Sequence, residues 1–315
     1  MKALVYARPL TMAIQDIPEP VAEPGEVIVD VRAAGICGSE LEGFATQNPF
    51  RVPPLVMGHE FAGVRVEDGK KVVVNPMVSC HNCDMCHRGL VNLCRVRKII
   101  GIHRAGGFAE RVAVPAANCV EVRDEVPFTT LALTEPMANA AHALRLVQAH
   151  DPWPQRIGII GCGMVGLAAG ILARHRGVPE VVICDRSAAR LASAERLGLT
   201  VAGATLAGEF DAIYDSVGSA ATRAASVEQI RPGGTALWAG LHEAQADLDS
   251  LAMIGNEKRI LATFCYDQTD FEAATRLVET MSPDFVATCP LDEGVEGFMA
   301  LLDGPADAVK TILVR

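Results

Sequence analysis

The sequence predicts an α/β chain in two parts: a β-rich domain built from both chain ends and, between them, a doubly wound parallel sheet. Three observations carry this expectation. Short strand-like runs separated by proline- and glycine-bearing turns fill residues 1–122. From Arg156 onward apolar runs alternate with helix-period segments, the pattern of a parallel sheet covered on both faces. A closing helix and strand, Gly294–Leu302 and Val309–Val314, then read as a return to the first part. At 315 residues the chain is long enough for two cores.

In order, strands are expected at Lys2–Tyr6, Met12–Ile17 and Val27–Ala34, parted by Pro18-Glu19-Pro20 and Glu23-Pro24-Gly25. Further strands fit Phe61–Val66, Lys71–Val74, Ala109–Val114 and Cys119–Val122, with a cysteine-rich loop over residues 80–100. Ala138, Ala141, Leu144 and Leu146 give helical spacing over Glu135–His150, and Asp151-Pro152-Trp153-Pro154 stops it. That cluster sets the expected boundaries: 1–150 with 283–315 for the first domain, 151–282 for the second. Within the second, strands fit Ile157–Ile160, Val181–Cys184, Ala212–Asp215, Ala236–Ala239 and Ile260–Phe264. Helices fit Ser187–Leu197, Ala220–Gln229 and Phe271–Met281.

The stretch Ile157–Asp185 carries the first chemistry. An apolar run leads into Gly161-Cys162-Gly163-Met164-Val165-Gly166, a helical pattern follows through Leu167, Ile171 and Leu172, and a second apolar run ends on Asp185. Strand, glycine turn, helix, strand and acid is the order a dinucleotide site requires. Gly161 and Gly163 allow a tight turn and a close approach to a pyrophosphate, Gly166 lets helix pack on strand, and the helix N-terminus offers free N–H groups. Asp185 would accept hydrogen bonds from a ribose 2′-hydroxyl and repel a 2′-phosphate, which favours NAD over NADP; Arg186 is the one neighbour suited to a 2′-phosphate. The uncharged run from Ile157 to Ala173 is short for the ~20 apolar residues of a membrane span and is broken by glycines.

Composition narrows the partners. Charged residues make up 21% and apolar ones 50%, an ordinary globular balance, and a net charge of −10 argues against a nucleic-acid surface. The run Met1–Tyr6 starts like a strand and lacks the apolar core of a signal peptide, so a cytoplasmic location is expected. Ten cysteines in such a chain point to metal or redox chemistry before disulfides.

Cys80, Cys83, Cys86 and Cys94 are spaced C-x2-C-x2-C-x7-C, and four thiolates on a short loop can close a tetrahedral structural zinc site. Ferredoxin-type runs share the first spacing but continue x3-C-P, which this chain does not. His81 and His87 are spare donors, read as solvated. A second set is scattered: Cys37, His59 and Glu60, and Glu135 beside Pro136. Cysteine, histidine and carboxylate can hold zinc with one position open, although spacing alone does not group them and Glu135 could equally cap a helix.

Taken with Gly35–Glu40, Gly58-His59-Glu60, Gly106–Glu110, Glu135-Pro136, the glycine turn and Lys310–Leu313, these motifs resemble the zinc-dependent medium-chain dehydrogenases of the alcohol, polyol and threonine dehydrogenase family over nearly the whole chain. The resemblance implies a GroES-like catalytic domain from both chain ends, a central Rossmann domain, and zinc in the cleft between them. It implies Cys37, His59 and Glu135 as ligands of a catalytic zinc and Glu60 as a conditional ligand. Ser39 would accept the substrate proton, and Glu40 would orient the zinc histidine. Val165 would back the nicotinamide, Arg190 would lie near the adenosine ribose, and Lys310 would meet the pyrophosphate. Relatives often carry histidine where Glu42 stands at the end of the proton relay, so either Glu42 is the terminal base or the exit route runs elsewhere. The chain is also shorter than usual between Glu60 and Asn75 and between Leu197 and Asp211.

The implied reaction is NAD-linked interconversion of a secondary alcohol and a ketone, with a small-molecule substrate, no nucleic acid or membrane partner, and a homo-dimer or homo-tetramer. Candidate pocket segments are Phe44–Arg51, His103–Ala105 and Leu241–Gln245, whose Gln47, Asn48, Arg51 and His103 favour a polar substrate. The rivals are a zinc-free enone reductase, opposed by the retained ligands, and a non-catalytic NAD-binding relative. Metal content separates the latter: two zincs per chain fit the enzyme and one fits a structural relic.

Overall fold

A computed structural model describes residues 1–151, 154–304 and 308–315. Pro152 and Trp153 of the expected boundary cluster lie outside the described residues. The chain forms two compact units, Met1–Glu135 with Asp267–Arg315, and Pro136–Tyr266. The change-overs therefore lie at 135/136 and 266/267, each about one helix before the boundaries expected from sequence. Among the described residues no helix is long and apolar enough to cross a membrane.

The first unit is β-rich. Its first strands are β1 (Lys2–Arg8), β2 (Thr11–Asp16), β3 (Glu26–Gly35), β4 (Leu55–Val56), β5 (Glu60–Arg65) and β6 (Lys71–Val74). The short strands β7 (Met77–Val78) and β8 (Lys98–Ile99) pair with each other, and β9 (Arg111–Pro115) and β10 (Cys119–Glu121) follow. Two further strands come from the chain's end. The main sheet runs β10-β6-β5-β3 and continues into the C-terminal strands Lys310–Val314 and Val286–Pro290, with β9 also pairing β3. β3 is central because its side chains alternate between half-buried and buried before a fully buried end at Ala33–Gly35, a strand held on both edges.

Two registers on that strand matter. Gly35 of β3 pairs with Glu60 at the start of β5, and Ile312 of the C-terminal strand pairs with Gly35 on the other side. Three distant parts of the sequence thereby meet at one end of β3. The core beside it includes Tyr6, Phe44, Phe108 and Phe298, all essentially inaccessible. The Phe298 ring meets Phe44 and Phe108 edge-on, at 5.5 and 5.7 Å between centroids, an arrangement that suits ring quadrupoles. Phe44 is thus a core residue and leaves the list of pocket candidates.

The second unit is a six-stranded sheet containing β11 (Arg156–Ile160), β12 (Glu180–Cys184), β13 (Thr200–Val201), β14 (Phe210–Asp215), β15 (Ile230–Trp238) and β16 (Arg259–Ala262). All pairings are parallel, in the order β13-β12-β11-β14-β15-β16. Order reverses between β11 and β14, which opens a crevice at the strands' carboxyl ends, the ordinary ligand position in such sheets. The run that could have been mistaken for a membrane span is β11, a turn, and the helix Met164–His175. The chain's end in the first unit adds β18 (Lys310–Val314), where the sequence pattern expected a strand, and β17 (Val286–Pro290), which it did not.

Candidate active site

Helix α1 (Gly38–Ala45), which the sequence reading did not foresee, starts the first cluster. Its apolar periodicity is weak; its signal was Glu40, three residues after Cys37. Cys37 is the N-cap, with the extended backbone that position requires, and its N–H donates to Glu40 Oε2 at 3.0 Å. Glu40 Oε1 accepts from the Gly58 N–H at 2.8 Å and lies 2.9 Å from His59 Nδ1. A carboxylate with no solvent exposure thus ties the Cys37 loop to the His59 loop. Burial pushes the Glu40 carboxyl up, but His59, Arg51 and the Cys37 N–H outweigh it and hold it below the usual value. With Nδ1 engaged, the His59 ring presents its other nitrogen toward Cys37.

Cys37, His59 and Glu60 place a sulfur, an imidazole nitrogen and a carboxylate oxygen within 4.8 Å of one another. This donor set fits zinc: mixed S, N and O ligands, two of them buried, with the histidine oriented through its second nitrogen by a carboxylate. Glu135 does not join the converging set. It sits in the first turn of the helix Thr134–Gln148, 8% exposed. Lys310 lies beside this cluster. It is 4% exposed, its Nζ donates to the Ile36 carbonyl at 2.9 Å and forms an ion pair with Glu60. The pairing of β18 with β3 brings this amine to the Glu60 carboxylate.

Ser39 Oγ lies 3.4 Å from Cys37 Sγ, which it can donate to, and accepts from Arg51 Nη2 at 3.1 Å. Glu42, the expected relay terminus, is exposed on α1, and no hydrogen bond links it to Ser39. Arg51 fills the position beside Ser39 instead, a contact invisible in sequence because the rest of α1 and the loop after it separate the two. Phe50 and His103 from the pocket segments meet edge-on, 6.3 Å between centroids.

The four-cysteine loop is geometrically closed. Sulfur separations are 3.5 Å for Cys80–Cys94, 3.6 Å for Cys83–Cys86, 3.9 Å for Cys83–Cys94 and 4.0 Å for Cys80–Cys86. A tetrahedron with Zn–S bonds of about 2.3 Å has edges of about 3.8 Å. An iron–sulfur cubane would hold its cysteine sulfurs farther apart, with cluster atoms between them. The loop is a structural zinc site, and His81 and His87 stand exposed outside it.

In the second unit the glycine turn closes β11. Gly161 has φ +95°, and a Cβ there would come within 2.6 Å of Ser216 Oγ at the end of β14. A Cβ on Gly166 would run into the Gly161 carbonyl, while Gly163 faces open space. Asp185, at the end of β12, accepts from Cys162 N–H at 2.6 Å and Ser187 N–H at 2.7 Å. Its carboxylate is held beside the turn with lone pairs to spare. Arg190 contributes its backbone N–H to Ser187 Oγ, and Val165 is half-buried in the first helical turn.

Comparison with known proteins agrees with this geometry. Residues 23–124 match the alcohol dehydrogenase GroES-like domain, and residues 164–280 match the zinc-binding dehydrogenase domain. The L-galactonate-5-dehydrogenase of Escherichia coli K12 is 29% identical over 88% of this chain and 87% of its own length. The L-threonine 3-dehydrogenase of Streptomyces avermitilis is 38% identical over 64% of this chain and 62% of its own. A zinc-binding dehydrogenase structure from Sinorhizobium meliloti 1021, bound to NADP, superposes with a TM-score of 0.90 at 27% identity, covering 100% of this chain and 99% of that one. The chain belongs to the zinc-binding medium-chain alcohol dehydrogenases, NAD(P)-dependent enzymes that act on a CH–OH donor.

Proposed function

We propose that this dehydrogenase interconverts a secondary alcohol, of the polyol, sugar-alcohol or amino-alcohol class, and its ketone, with NAD as the hydride acceptor. The observation that carries the reading is the convergence of Cys37, His59 and Glu60 with Ser39 Oγ 3.4 Å from the cysteine sulfur. Zinc held there supplies Lewis acidity toward an alcohol oxygen, and a nicotinamide supplies the acceptor for the hydride.

The chain's own residues do the rest. Cys37, His59 and a carboxylate hold the metal, with Glu60 in that place in the present geometry and Glu135 its exchange partner. Glu40 fixes the His59 ring and leaves one nitrogen for the metal. Ser39 takes the alcohol proton. Its onward path does not run through Arg51, because a guanidinium accepts no proton. Lys310 anchors Glu60 through an ion pair. The reaction balances as alcohol plus NAD⁺ giving ketone, NADH and one proton.

Gly161, Gly163 and Gly166 form the pyrophosphate turn, Val165 backs the nicotinamide, and Arg190 lies by the adenosine ribose. Asp185 supports NAD over NADP because a fixed carboxylate accepts from a 2′-hydroxyl and repels a 2′-phosphate. The exposed Arg186 and the NADP in the Sinorhizobium structure make this a pointed test. Turnover with the two cofactors at equal concentration should favour NAD at least tenfold; preference for NADP would overturn the assignment of Asp185. Self-association belongs to the same reading: β16 is an edge strand, and Leu251 and Ile254 near it in sequence are 80% and 76% exposed. Sedimentation should show a dimer or tetramer, and a monomer at working concentration would contradict it.

A further inference from the structure

Arg51 is 4% exposed, and its environment is unusual for a buried arginine. Among the described residues no carboxylate lies within ion-pair distance of it, and its Nε is buried without a partner. Its side chain donates a hydrogen bond to a neutral hydroxyl, Ser39 Oγ. The chain is not short of acids, having 38 against 28 basic residues. It places carboxylates opposite Arg65, Arg95, Arg111, Arg156 and Arg231. Glu40, whose carboxyl feels the Arg51 charge, has both oxygens committed to Cys37, Gly58 and His59.

The backbone makes room for this side chain. Gly43 lies one helical turn after Ser39 on α1, and a Cβ there would meet Arg51 Cδ at 2.6 Å and Nε at 3.1 Å. The surroundings are also positive. Desolvation, Arg97, Arg51 and Lys98 all push the His103 imidazole below its usual value, and His103 packs edge-on against Phe50, next to Arg51. Burying a permanent cation with no carboxylate at ion-pair distance is costly, and in enzymes such a cost persists where a ligand removes it.

We propose that Arg51 is the specificity residue of the alcohol site and that the substrate is a hydroxy acid, whose carboxylate pairs with the Arg51 guanidinium while its hydroxyl faces Ser39. This deepens the dehydrogenase reading and rests on it for the location of the reacting hydroxyl. The planar guanidinium suits a carboxylate, and the fork has donors beyond the one given to Ser39.

The test uses the zinc-loaded full chain with NAD and a panel of sugar acids, each paired with the neutral sugar alcohol of the same length and configuration. The acid of the preferred pair should exceed its neutral partner at least tenfold in kcat/KM. Arg51→Met should lower kcat/KM on the acid by roughly 10- to 100-fold, mainly through KM, so that the acid-to-neutral ratio falls at least tenfold. Arg51→Lys, which keeps the charge, should recover part of the ratio. Because the methionine removes a buried charge that has no ion-pair partner, its thermal midpoint should not fall below that of the parent. A readout without turnover is calorimetric binding of a deoxy acid lacking the reactive hydroxyl, which should weaken by the same factor in Arg51→Met.

Preference for neutral alcohols, or equal loss on both members of a pair, overturns the proposal; equal loss would make Arg51 a support for Ser39 only. Absence of Arg51-dependent binding of the deoxy acid overturns it as well. If that binding is found but no alcohol of either class is oxidised, the anion site stands and the dehydrogenase reading fails.

Discussion

Replacing Cys37 with serine exchanges a thiolate for a hydroxyl that holds zinc poorly, in a cluster where sulfur, imidazole and carboxylate lie within 4.8 Å. We expect Cys37→Ser to retain one zinc of two and to lose at least about a thousandfold in turnover, checked by metal analysis beside rate measurements. A stability prediction lies at Glu26. Its hydrogen bond from Arg104, with a 2.6 Å ion pair, holds its carboxyl below the usual carboxylate value. A depressed folded value means the contribution is present above the unfolded value and is lost as pH falls through the folded one. Glu26→Gln should therefore cost about 1 kcal/mol at neutral pH and progressively less in acid, measured by urea denaturation at both. Residue identity was legible where a motif carries it, as at Cys37, His59 and Glu60. Lys310 and Arg51 were not, because each owes its role to a partner far away in sequence: Glu60 across a sheet, and Ser39 across a loop.

Elements were legible wherever period and punctuation agreed. The glycine turn, its helix and the strand ending on Asp185 stand where the pattern put them, since apolar runs and glycines fix them locally. Helix α1 escaped because about two turns with few apolar residues are held by capping through Glu40 and by its loop contacts. Gly166→Ala should abolish cofactor binding or unfold the turn, since its Cβ has no room against the Gly161 carbonyl; dinucleotide titration with a thermal melt separates the two. In the four-cysteine loop, Cys94 is fully buried and its sulfur is 3.5 Å from that of Cys80. Cys94→Ser should release the structural zinc and expose the loop to proteolysis while the other metal stays. On the C-terminal helix Gly294–Asp303, Phe298 fills a core shared with Phe44 and Phe108, and Phe298→Ala should cost about 3–5 kcal/mol by denaturant titration.

At the scale of the molecule, the chain's two ends share one sheet because β18 pairs with β3 and carries Lys310 to Glu60. Sequence order predicted that return, but not the register that decides which side chains meet. The pairing of Gly35 with Glu60 likewise helps bring Glu60 beside Cys37 and His59, which spacing alone does not group. The central claim is that a buried cysteine–histidine–carboxylate site, distinct from the four-cysteine loop, drives NAD-linked alcohol oxidation. The most direct measurement is zinc per chain together with NADH absorbance on an alcohol panel, for the parent and for Cys37→Ser. Two zincs with turnover in the parent, and one zinc without turnover in the variant, is the predicted result. Undiminished NADH formation by a one-zinc Cys37→Ser protein would contradict it.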